Sequence, residues 1–520
     1  MNVLPAPPSA SHADSPTTLT TDLSARTLAG LVASGRASAE EVMRIHLDRI
    51  AEVNPQVNAI VGLDPEAALA AARDFDTAGR RKDGLLLSGL PVAVKDLIPA
   101  AGFRHTQGSP AYADRVATTD HSVVRRMKEA GALVIGKTNV PEFGLGSHSF
   151  NPVYGVTRNP YDLSRAAGGS SGGAAAALAS RMLPVADGSD TGGSLRNPAS
   201  FCNVVGFRPS IGRVPNLPDQ VPFGQSSVKG PMGRDVQDTA LLLAVLAYFE
   251  PRLPYSVEPD TAAYLAVARA AEDEDLFGEE IAARRGASAG GRSGERPLAA
   301  WTMDLSGTVP VDADVRAVVT RALAGLESSG TFDLVEAHPD YTEAVGVGRV
   351  LRALQLLTTL GPLVAERPEL VKPDARENVA IGAALTAEQI AEAERGHARI
   401  FSRTVDFFDT HDVLLTPTCQ VAPFDVHERY PRTVDGQEMG DYLEWMSMPY
   451  TFTVTGHPAL TVPVGFTEAG LPVGLQVVGP YRREDLVLEY GRRIERAVGS
   501  GRIAPEIPTD APVDRFPDIR

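Results

Sequence analysis

The sequence predicts an α/β fold. Segments with the pattern of short buried strands alternate along the chain with segments that have the periodicity of amphipathic helices. Apolar residues make up 43% and charged residues 22% of the 520 residues, a composition typical of globular proteins. A chain of this length can bury a large core. At about 150 residues per domain its length suggests two to four domains, but large α/β enzymes often fold as single units.

The N-terminal part of the chain predicts two helices, followed by a strand, a helix and another strand. Ser38 and Glu41 have the spacing of a capping box, and apolar residues recur behind them at helical spacing. Residues 64–78 are rich in alanine and predict the second helix. The segment LSGLPVAVKDL predicts a buried strand that ends at Lys95. The segment HSVVRRMKEAGALVIGKTNV predicts a helix that a glycine stops, and then a buried strand.

The C-terminal half predicts further buried strands in LAAWTMDL, DVLLTPT, HPALTVPVGF and LPVGLQVVG, and a last helix over about 484–498. The stretch DADVRAVVTRALAGLESSG predicts one more helix. Residues 257–296 contain an acidic stretch and the low-complexity segment RGASAGGRSGER, which together predict a surface insertion. We expect residues 1–18 to be a disordered tail, residues 19–503 to form the folded domain, and residues 504–520 to be irregular.

The net charge of −16 and the pI of about 5.2 argue against two classes of partner. An acidic surface repels nucleic-acid phosphates and anionic lipid headgroups, so neither nucleic acid nor a membrane is expected. The N-terminal residues lack the features of a signal peptide, and no apolar run of about 18 residues predicts a spanning helix. Two cysteines, Cys202 and Cys419, are too few for a disulfide framework and fit a reducing compartment. The cytoplasm is the expected location.

The segment GALVIGKT, residues 131–138, matches the P-loop pattern of nucleotide-binding proteins. Its context does not fit a phosphate-binding loop, because such a loop must open a helix. The four middle residues are apolar and favour a buried strand, and Asn139 and Pro141 would break a following helix. We therefore expect a strand here and no bound nucleotide.

Two glycine–serine clusters, GGSSGG at 168–173 and DTGGS at 190–194, place Ser170 and Ser194 24 positions apart. A single cluster of this kind is usually a linker or a turn. The first cluster, however, runs directly into AAAALASRML, a strong helix former, which a flexible linker has no reason to do. The glycines of the second allow positive φ and a converging set of N–H groups, the geometry that stabilises an oxyanion. Ser194 is therefore a candidate nucleophile.

A serine nucleophile needs a base, because its hydroxyl is only weakly nucleophilic at neutral pH. Histidine is the usual base, and His148 is the nearest candidate, although a loop or core histidine is the plainer interpretation. Lys95 is the other candidate, since burial at the end of a strand would lower its pKa and let it accept a proton. A solvated lysine is again the plainer interpretation, so these patterns alone leave the base open.

Taken together, these segments resemble the amidase signature family. Lys95, GGSSGG and DTGGS stand in the order and at the spacing of that family. Four longer segments resemble its core, namely GLPVAVKD, AGALVIGKTNVPEFG, AAGGSSGGAAAALA and GSDTGGSLRNPASFCNVVGFRP, and DVLLTPT and HPALTVPVGF resemble its C-terminal part. The likeness covers roughly residues 20–500 and implies a single domain with a central mixed β-sheet flanked by helices on both faces.

The resemblance implies a catalytic triad of two serines and a lysine. In this triad Ser194 is the nucleophile that becomes the acyl-enzyme, Ser170 relays the proton, and Lys95 is the general base. The peptide bond between Gly169 and Ser170 is expected to be cis, a supporting role for that glycine. The other implied positions are the oxyanion-hole N–H groups of Thr191, Gly192, Gly193 and Ser194, and the supporting residues Asp190 and Arg196.

The substrate pocket is harder to predict, because pocket walls come from segments that are distant in sequence. Phe143, Cys419, Trp445 and Tyr450 are the candidates for substrate contact, although each fits core packing as well. Neither HExxH nor CxxC spacing occurs, so no metal is predicted, and no cofactor is expected. The expected partner is a small-molecule amide-type substrate, and the chain is compatible with a homodimer.

Two enzymatic functions follow from the resemblance. The first is an amidohydrolase that cleaves carboxamides and, because the same oxyanion forms, also anilides, esters or carbamates. The second is the glutaminase-type amidase subunit of a tRNA-dependent amidotransferase, which would need partner chains and a glutamine-specific pocket. The acidic segment within 257–296 argues against a surface that faces RNA, so the amidohydrolase is the leading hypothesis.

Overall fold

Strands and helices alternate along the chain, as the sequence predicts. The computed structural model describes residues 18–78, 84–218, 221–224, 226–272, 274, 276–278, 296–510 and 513–519. In chain order, the strands are β1 (Ile60–Val61), β2 (Pro91–Lys95), β3 (Leu133–Thr138), β4 (Phe150–Asn151), β5 (Gly155–Val156), β6 (Arg158–Asn159), β7 (Asp162–Ala166), β8 (Val185–Asp190), β9 (Val205–Arg208), β10 (Val228–Gly233), β11 (Leu298–Trp301), β12 (Asp333–Glu336), β13 (Val413–Pro417), β14 (Thr433–Val434), β15 (Gln437–Glu438), β16 (Ala459–Phe466) and β17 (Pro472–Val478). The α-helices are α1 (Ala25–Ala33), α2 (Ala39–Val57), α3 (Pro65–Thr77), α4 (Ser122–Glu129), α5 (Gly172–Ala179), α6 (Arg196–Phe201), α7 (Val236–Leu246), α8 (Thr261–Arg269), α9 (Ala313–Ser328), α10 (Ala344–Glu366), α11 (Pro373–Ala384), α12 (Ala387–Phe407), α13 (Ser447–Val454) and α14 (Glu484–Val498).

A mixed sheet of eight strands forms the centre of the fold, in the order β12–β11–β13–β17–β16–β9–β10–β8. β11 pairs in parallel with β12 and with β13, whereas the neighbouring pairs from β13 to β8 are antiparallel. The predicted strands DVLLTPT, HPALTVPVGF and LPVGLQVVG are the central members β13, β16 and β17. The mixed sheet that the family resemblance implied is therefore confirmed.

Helices cover both faces of this sheet, as the neighbours of two successive residues of strand β16 show. Successive side chains of a strand point to opposite faces. A Cβ added at Gly491 in α14 would meet Leu460, so α14 lies on the Leu460 face. Thr461, the next residue of β16, points to the opposite face, where Ser200 of α6 packs beside it and accepts a hydrogen bond from the Gly474 N–H at 2.9 Å. The sheet is thus buried on both sides.

A smaller sheet, of order β1–β3–β2, places Lys95 beside the large one. β2 and β3 are parallel, and Lys95 is the last residue of β2. Its backbone N–H donates to the Asp187 carboxylate of β8 at 3.2 Å, which joins the small sheet to the edge strand of the large sheet. β3 lies within the GALVIGKT segment, so this segment forms the predicted strand and not a phosphate-binding loop.

Several helices begin or end where capping residues and glycines in the sequence predict. The Oγ of Ser38 accepts from the Glu41 N–H, and the Glu41 carboxylate accepts from the Ser38 N–H at 2.8 Å, which completes the predicted capping box of α2. Gly131 follows α4 with φ +94° and turns the chain into β3. The predicted helices over 64–78 and 484–498 are α3 and α14.

Residues 344–407 form three helices that the sequence analysis did not assign. α10 packs against α11, α12 and α13. The start of α10 carries no side-chain cap, and Pro362 lies inside it, so the usual sequence signals of a helix are weak here. Tertiary packing, through apolar residues such as Leu360 and Leu363 against Leu145, stabilises this layer.

The predicted surface insertion at 257–296 needs correction. Residues 261–269 form α8, which packs against α7 and α14, and Tyr264 and Val267 on its inner side are buried. The acidic composition that suggested an insertion begins only after this helix, at residue 272. Residues 279–295, which include most of the low-complexity segment, lie outside the described part of the chain.

The chain termini contain little regular structure in the part that is described. Of the predicted disordered tail, residues 1–18, all but the last residue lie outside it. Residues 504–510 and 513–519 form neither helix nor strand, although the Arg515 carbonyl oxygen accepts from the Val156 N–H of β5 at 2.8 Å. None of the helices in the described ranges combines the length and the apolar character that crossing a bilayer requires.

Candidate active site

The predicted nucleophile, Ser194, lies in the turn between β8 and α6. β8 ends at Asp190 and α6 begins at Arg196, so the chain changes direction within residues 191–195. Gly193 permits the turn with φ +108°, a conformation that residues with side chains rarely adopt. A Cβ at this position would also lie 2.4 Å from the Asn197 Oδ1. Only glycine fits here, which explains the second glycine–serine cluster.

The Asp190 carboxylate holds this turn from the inside. Its Oδ1 accepts from the Gly193 N–H at 2.8 Å, and its Oδ2 accepts from the Leu195 N–H at 3.2 Å. Arg196 donates to both oxygens at 3.0 Å. Burial alone would raise the pKa of the Asp190 carboxyl, but the guanidinium groups of Arg196 and Arg208 more than offset burial and hold the pKa well below its usual value. The two predicted supporting residues therefore form a buried ion pair that fixes the turn.

The bond to Asp190 changes the predicted oxyanion hole. Because the Gly193 N–H donates to that carboxylate, it is not available to an oxyanion. Thr191, Gly192 and Ser194 do line the cavity beside the turn. The resemblance implied four N–H donors, and the structure reduces the candidates to these three.

Asp190→Asn is expected to destabilise the protein by about 3–5 kcal/mol, because it leaves two buried guanidinium groups without their carboxylate. The measurement is the midpoint of urea-induced unfolding. Glu392→Gln is the matched control, since its ion pair with Arg395 is exposed and is expected to contribute about 1 kcal/mol or less. Equal midpoints for the two variants would rule out a structural role for Asp190.

Lys95 lies fully buried among hydroxyl groups. Its Nζ is 2.9 Å from the Ser170 Oγ, 2.7 Å from the Ser171 Oγ and 3.0 Å from the Ser189 Oγ. Burial lowers the pKa of Lys95 well below its usual value, and the positive charge of Lys229 lowers it further. A neutral amine in contact with a serine hydroxyl can accept its proton, which is the chemistry that the resemblance implies for Lys95.

The first glycine–serine cluster places Ser170 beside this lysine and at the cavity that Ser194 lines. The peptide bond from Gly169 to Ser170 is cis, as the resemblance implied. Ser170 contacts Lys95 and also lines the cavity that Ser194 lines. The backbone N–H of Ser171 donates to the Ser194 carbonyl oxygen at 3.2 Å, which ties the two clusters together. The three residues predicted as the triad therefore meet at one place.

The cavity beside Ser194 has a volume of about 190 Å³. Two of the four predicted pocket residues, Phe143 and Tyr450, line it. Other residues of its wall were not predicted from the sequence and include Ser227, Lys229, Arg352, Gln355, Tyr442 and Met446. Arg352 and Gln355 come from α10, which the sequence analysis did not assign. Lys229 is a single lysine in a strand, and no motif distinguishes it.

A larger apolar cavity of about 400 Å³ adjoins the first, and Gln355 and Tyr450 line both. Its wall includes the aliphatic and aromatic residues Pro222, Phe223, Leu351, Leu354 and Val454, and also the polar Glu394 and His397. The Tyr450 ring packs between the Ser194 turn and α10. A Cβ added at Gly192 of the turn would lie 2.9 Å from this ring, and one added at Gly348 of α10 would lie 2.8 Å from it. The two cavities together offer space for a substrate with a sizeable apolar group.

Cys419 and Trp445, the other two predicted pocket residues, line neither cavity. Both belong to a separate buried cluster in which the Trp445 ring packs against Phe201 and Phe424. Burial raises the pKa of the Cys419 thiol to about 12, so this cysteine is neutral and poorly nucleophilic. The prediction of substrate contact is corrected for both, because the sequence does not show which side of the fold they face.

His148, the alternative base in the sequence, is also a core residue. Its Nε2 lies 2.9 Å from the Val426 carbonyl oxygen, and its ring packs against Phe150 and Phe424. Burial lowers its pKa to about 4. It does not line the cavity beside Ser194, which favours Lys95 as the base.

Comparisons with known proteins agree with this fold. The family model described as Amidase matches residues 41–488. The fold and this family match define a hydrolase that acts on carbon–nitrogen bonds. The chain belongs to the amidase signature family.

Two relatives of equal sequence identity have different functions. The chain is 34% identical to the acylamidase of Rhodococcus erythropolis, over 91% of this chain and 95% of that protein. It is also 34% identical to a glutamyl-tRNA(Gln) amidotransferase subunit of Cupriavidus necator, over 91% of this chain and 96% of that protein. The crystal structure of a bacterial aryl acylamidase of the amidase signature family matches with a TM-score of 0.78 and 27% identity, over 92% of this chain and 96% of that chain.

Proposed function

We propose that this protein is an amidohydrolase that cleaves carboxamides through an acyl-enzyme on Ser194, with Ser170 as proton relay and Lys95 as general base. The observation that carries the proposal is the position of the Lys95 Nζ, 2.9 Å from a serine hydroxyl that borders the Ser194 cavity. Burial lowers the pKa of this lysine, so its neutral form is accessible as a base.

The first half of the proposed reaction forms the acyl-enzyme. The Ser194 Oγ attacks the amide carbonyl while its proton passes to Ser170, whose own proton passes to the Lys95 Nζ. The N–H groups of the turn, such as those of Thr191 and Gly192, stabilise the oxyanion that develops. Lys95 then returns the proton through Ser170 to the leaving amine, and the carbon–nitrogen bond breaks.

The second half hydrolyses the acyl-enzyme. Water attacks the ester carbonyl at Ser194, and its proton follows the same relay to Lys95. Lys95 then returns the proton through Ser170 to the Ser194 oxygen, so the acid is released and the serine hydroxyl is restored. Because anilides, esters and carbamates pass through the same kind of oxyanion, they are proposed as additional substrates.

The adjoining cavities support an acylamide or anilide substrate with an apolar group. The larger cavity, of about 400 Å³, is bordered by Gln355 and Tyr450, which also border the catalytic cavity. The deciding experiment is a panel of aliphatic amides, aryl anilides and carbamates of increasing apolar size, with Ser194→Ala as the blank. We expect the larger apolar amides to have higher kcat/KM than acetamide. No turnover above the blank for any member would refute the proposed function.

A second candidate function is the amidase component of a tRNA-dependent amidotransferase, which the similarity to the Cupriavidus necator protein favours. In that case the purified chain would release ammonia from L-glutamine in preference to every acylamide and anilide of the panel. The amidohydrolase proposal predicts the opposite order of kcat/KM. It also predicts that the chain is active without partner chains or RNA.

Lys229→Met is expected to move the acid limb of the kcat/KM profile to higher pH. In the pairing of β10 with β8, Lys229 lies opposite Ser189, whose Oγ and carbonyl oxygen contact the Lys95 Nζ. The positive charge of Lys229 lowers the Lys95 pKa, so its removal raises that pKa and protonates more of the base at a given pH. The check is a pH profile on one anilide, with the Lys128→Met variant, whose lysine pairs with Asp120 near the surface, as control. An unmoved limb would show that Lys229 does not tune the base.

A further inference from the structure

The catalytic cavity carries positive charge that the proposed reaction does not use for proton transfer. Its lining residues include the cationic Lys229 and Arg352, and none of those that border it in the described part of the chain is an aspartate or glutamate. The whole chain, in contrast, has a net charge of −16. A cavity with this charge in an acidic protein attracts anionic ligands.

Arg352 is the more deeply buried of the two cations, with 7% of its surface exposed. Its guanidinium donates to the Asn378 side-chain oxygen and to the Tyr442 hydroxyl, and it lies over the Tyr442 ring. Both partners are neutral, and no carboxylate of the described residues forms an ion pair with Arg352. A buried guanidinium without a counter-charge is costly, because it stays ionised and has five N–H donors to satisfy.

Arg349, one helical turn earlier on α10, shows the more common arrangement. Its guanidinium donates to both oxygens of Asp441 and lies 3.7 Å from Glu444. Arg349 is thus neutralised by the protein and does not line the catalytic cavity. The two arginines differ in counter-charge and in access to the cavity. Arg349 therefore serves as an example of a structural arginine, with which Arg352, the arginine that faces the substrate site, can be compared.

We propose that Arg352 binds a carboxylate group of the substrate, so that the preferred substrates are amides that carry a carboxylate near the scissile bond. The planar guanidinium matches a carboxylate with two parallel hydrogen bonds. Because Arg352 and Ser194 border the same cavity of about 190 Å³, the anionic group and the scissile amide belong to one small molecule. This inference rests on the proposed amidohydrolase function and names its substrate class.

A purely structural role is the competing explanation. Arg352 holds Asn378 and Tyr442, and its loss could loosen the cavity wall for every substrate. A structural residue would change the rates of charged and neutral substrates alike. A carboxylate-binding residue changes only the preference between them, so the ratio of kcat/KM within a matched pair is the informative quantity.

The test uses two pairs of amides that differ in charge and little else. Succinic acid mono-para-nitroanilide and its methyl ester place the carboxylate on the acyl side. N-acetyl-para-aminobenzoate and N-acetyl-para-aminobenzamide place it on the amine side. Each pair is assayed with the wild type, Arg352→Met, Arg352→Lys and the control Arg349→Met. The same pairs are titrated by calorimetry against Ser194→Ala, which measures binding in the absence of turnover.

We expect the wild type to prefer the carboxylate member of at least one pair by about tenfold or more, the effect of a charged hydrogen bond. Arg352→Met should abolish this preference, Arg352→Lys should restore part of it, and Arg349→Met should retain it. A wild type that prefers the neutral member of both pairs, or an unchanged ratio in Arg352→Met, would overturn the inference. If nothing is hydrolysed but the Ser194→Ala variant still binds the carboxylates more tightly, the proposed function fails and the Arg352 site stands.

Discussion

Ser194→Ala is expected to lower amide turnover by about five to six orders of magnitude, close to the uncatalysed background of the assay. The alanine has no oxygen to attack the carbonyl, so the acyl-enzyme cannot form, although the glycine turn and its N–H groups remain. The fold should survive, because the turn is fixed by the bonds of Asp190 to the Gly193 and Leu195 N–H groups, which the substitution leaves in place. The measurement is kcat on the best substrate of the panel.

Intact-protein mass spectrometry with a slow ester substrate tests the same point without relying on rates. The wild type should gain the mass of the acyl group, and Ser194→Ala should gain none. Ser171→Ala is the matched control, since Ser171 contacts Lys95 from the neighbouring cluster but does not line the cavity. It should still form the acyl adduct. An adduct on Ser194→Ala would show that another residue is the nucleophile.

The candidate catalytic residues could be predicted from the sequence because they lie in short segments with distinctive residue types and spacing. The glycines around Ser194 predict a tight turn, and the buried strand that ends at Lys95 makes this lysine a candidate base of lowered pKa, although a solvated lysine is the plainer interpretation from residue types alone. These patterns left the base open between His148 and Lys95. The family spacing favoured the lysine, and the structure agrees by placing His148 in the core.

The hydrogen bonds within the turn could not be predicted from the sequence. The glycine cluster suggested four N–H donors for the oxyanion, but the Asp190 carboxylate takes the one from Gly193. Which N–H groups remain depends on where one side chain points, and residue order does not show that. Similarly, GGSSGG contains two adjacent serines, and only the structure shows that Ser170 borders the cavity while Ser171 contacts Lys95 outside it.

The cavity wall was largely beyond prediction, for a physical reason. Arg352 lies on α10, which begins without a side-chain cap and depends on packing against α11, α12 and α13. Trp445 and Tyr450 are close in sequence and similar in type, yet one packs in a core cluster and the other borders the substrate site. Tertiary packing decides whether a side chain faces the core or the cavity, and a single sequence does not specify that packing.

Lys95→Met is expected to lower kcat/KM by about three to four orders of magnitude, because it removes the general base and leaves the nucleophile in place. The wild-type rate should fall as pH decreases through the lowered pKa of Lys95, since the protonated lysine cannot accept the proton. Methionine does not titrate, so the residual activity of the variant should lose this acid limb. A pH profile of kcat/KM on one anilide measures both effects.

Lys137→Met is the control that tests whether the acid limb belongs to Lys95 or could arise from any buried lysine. Lys137 is also buried, in the adjacent strand β3, and burial lowers its pKa to about 8. Its Nζ donates to the Ile98 carbonyl oxygen and lies 3.9 Å from Asp96, away from the serine cluster. Lys137→Met should therefore keep the acid limb at its wild-type pH, even if it lowers stability. If Lys137→Met lost the limb and Lys95→Met kept it, the proton would have to pass to Lys137, and the relay through Ser170 would be wrong.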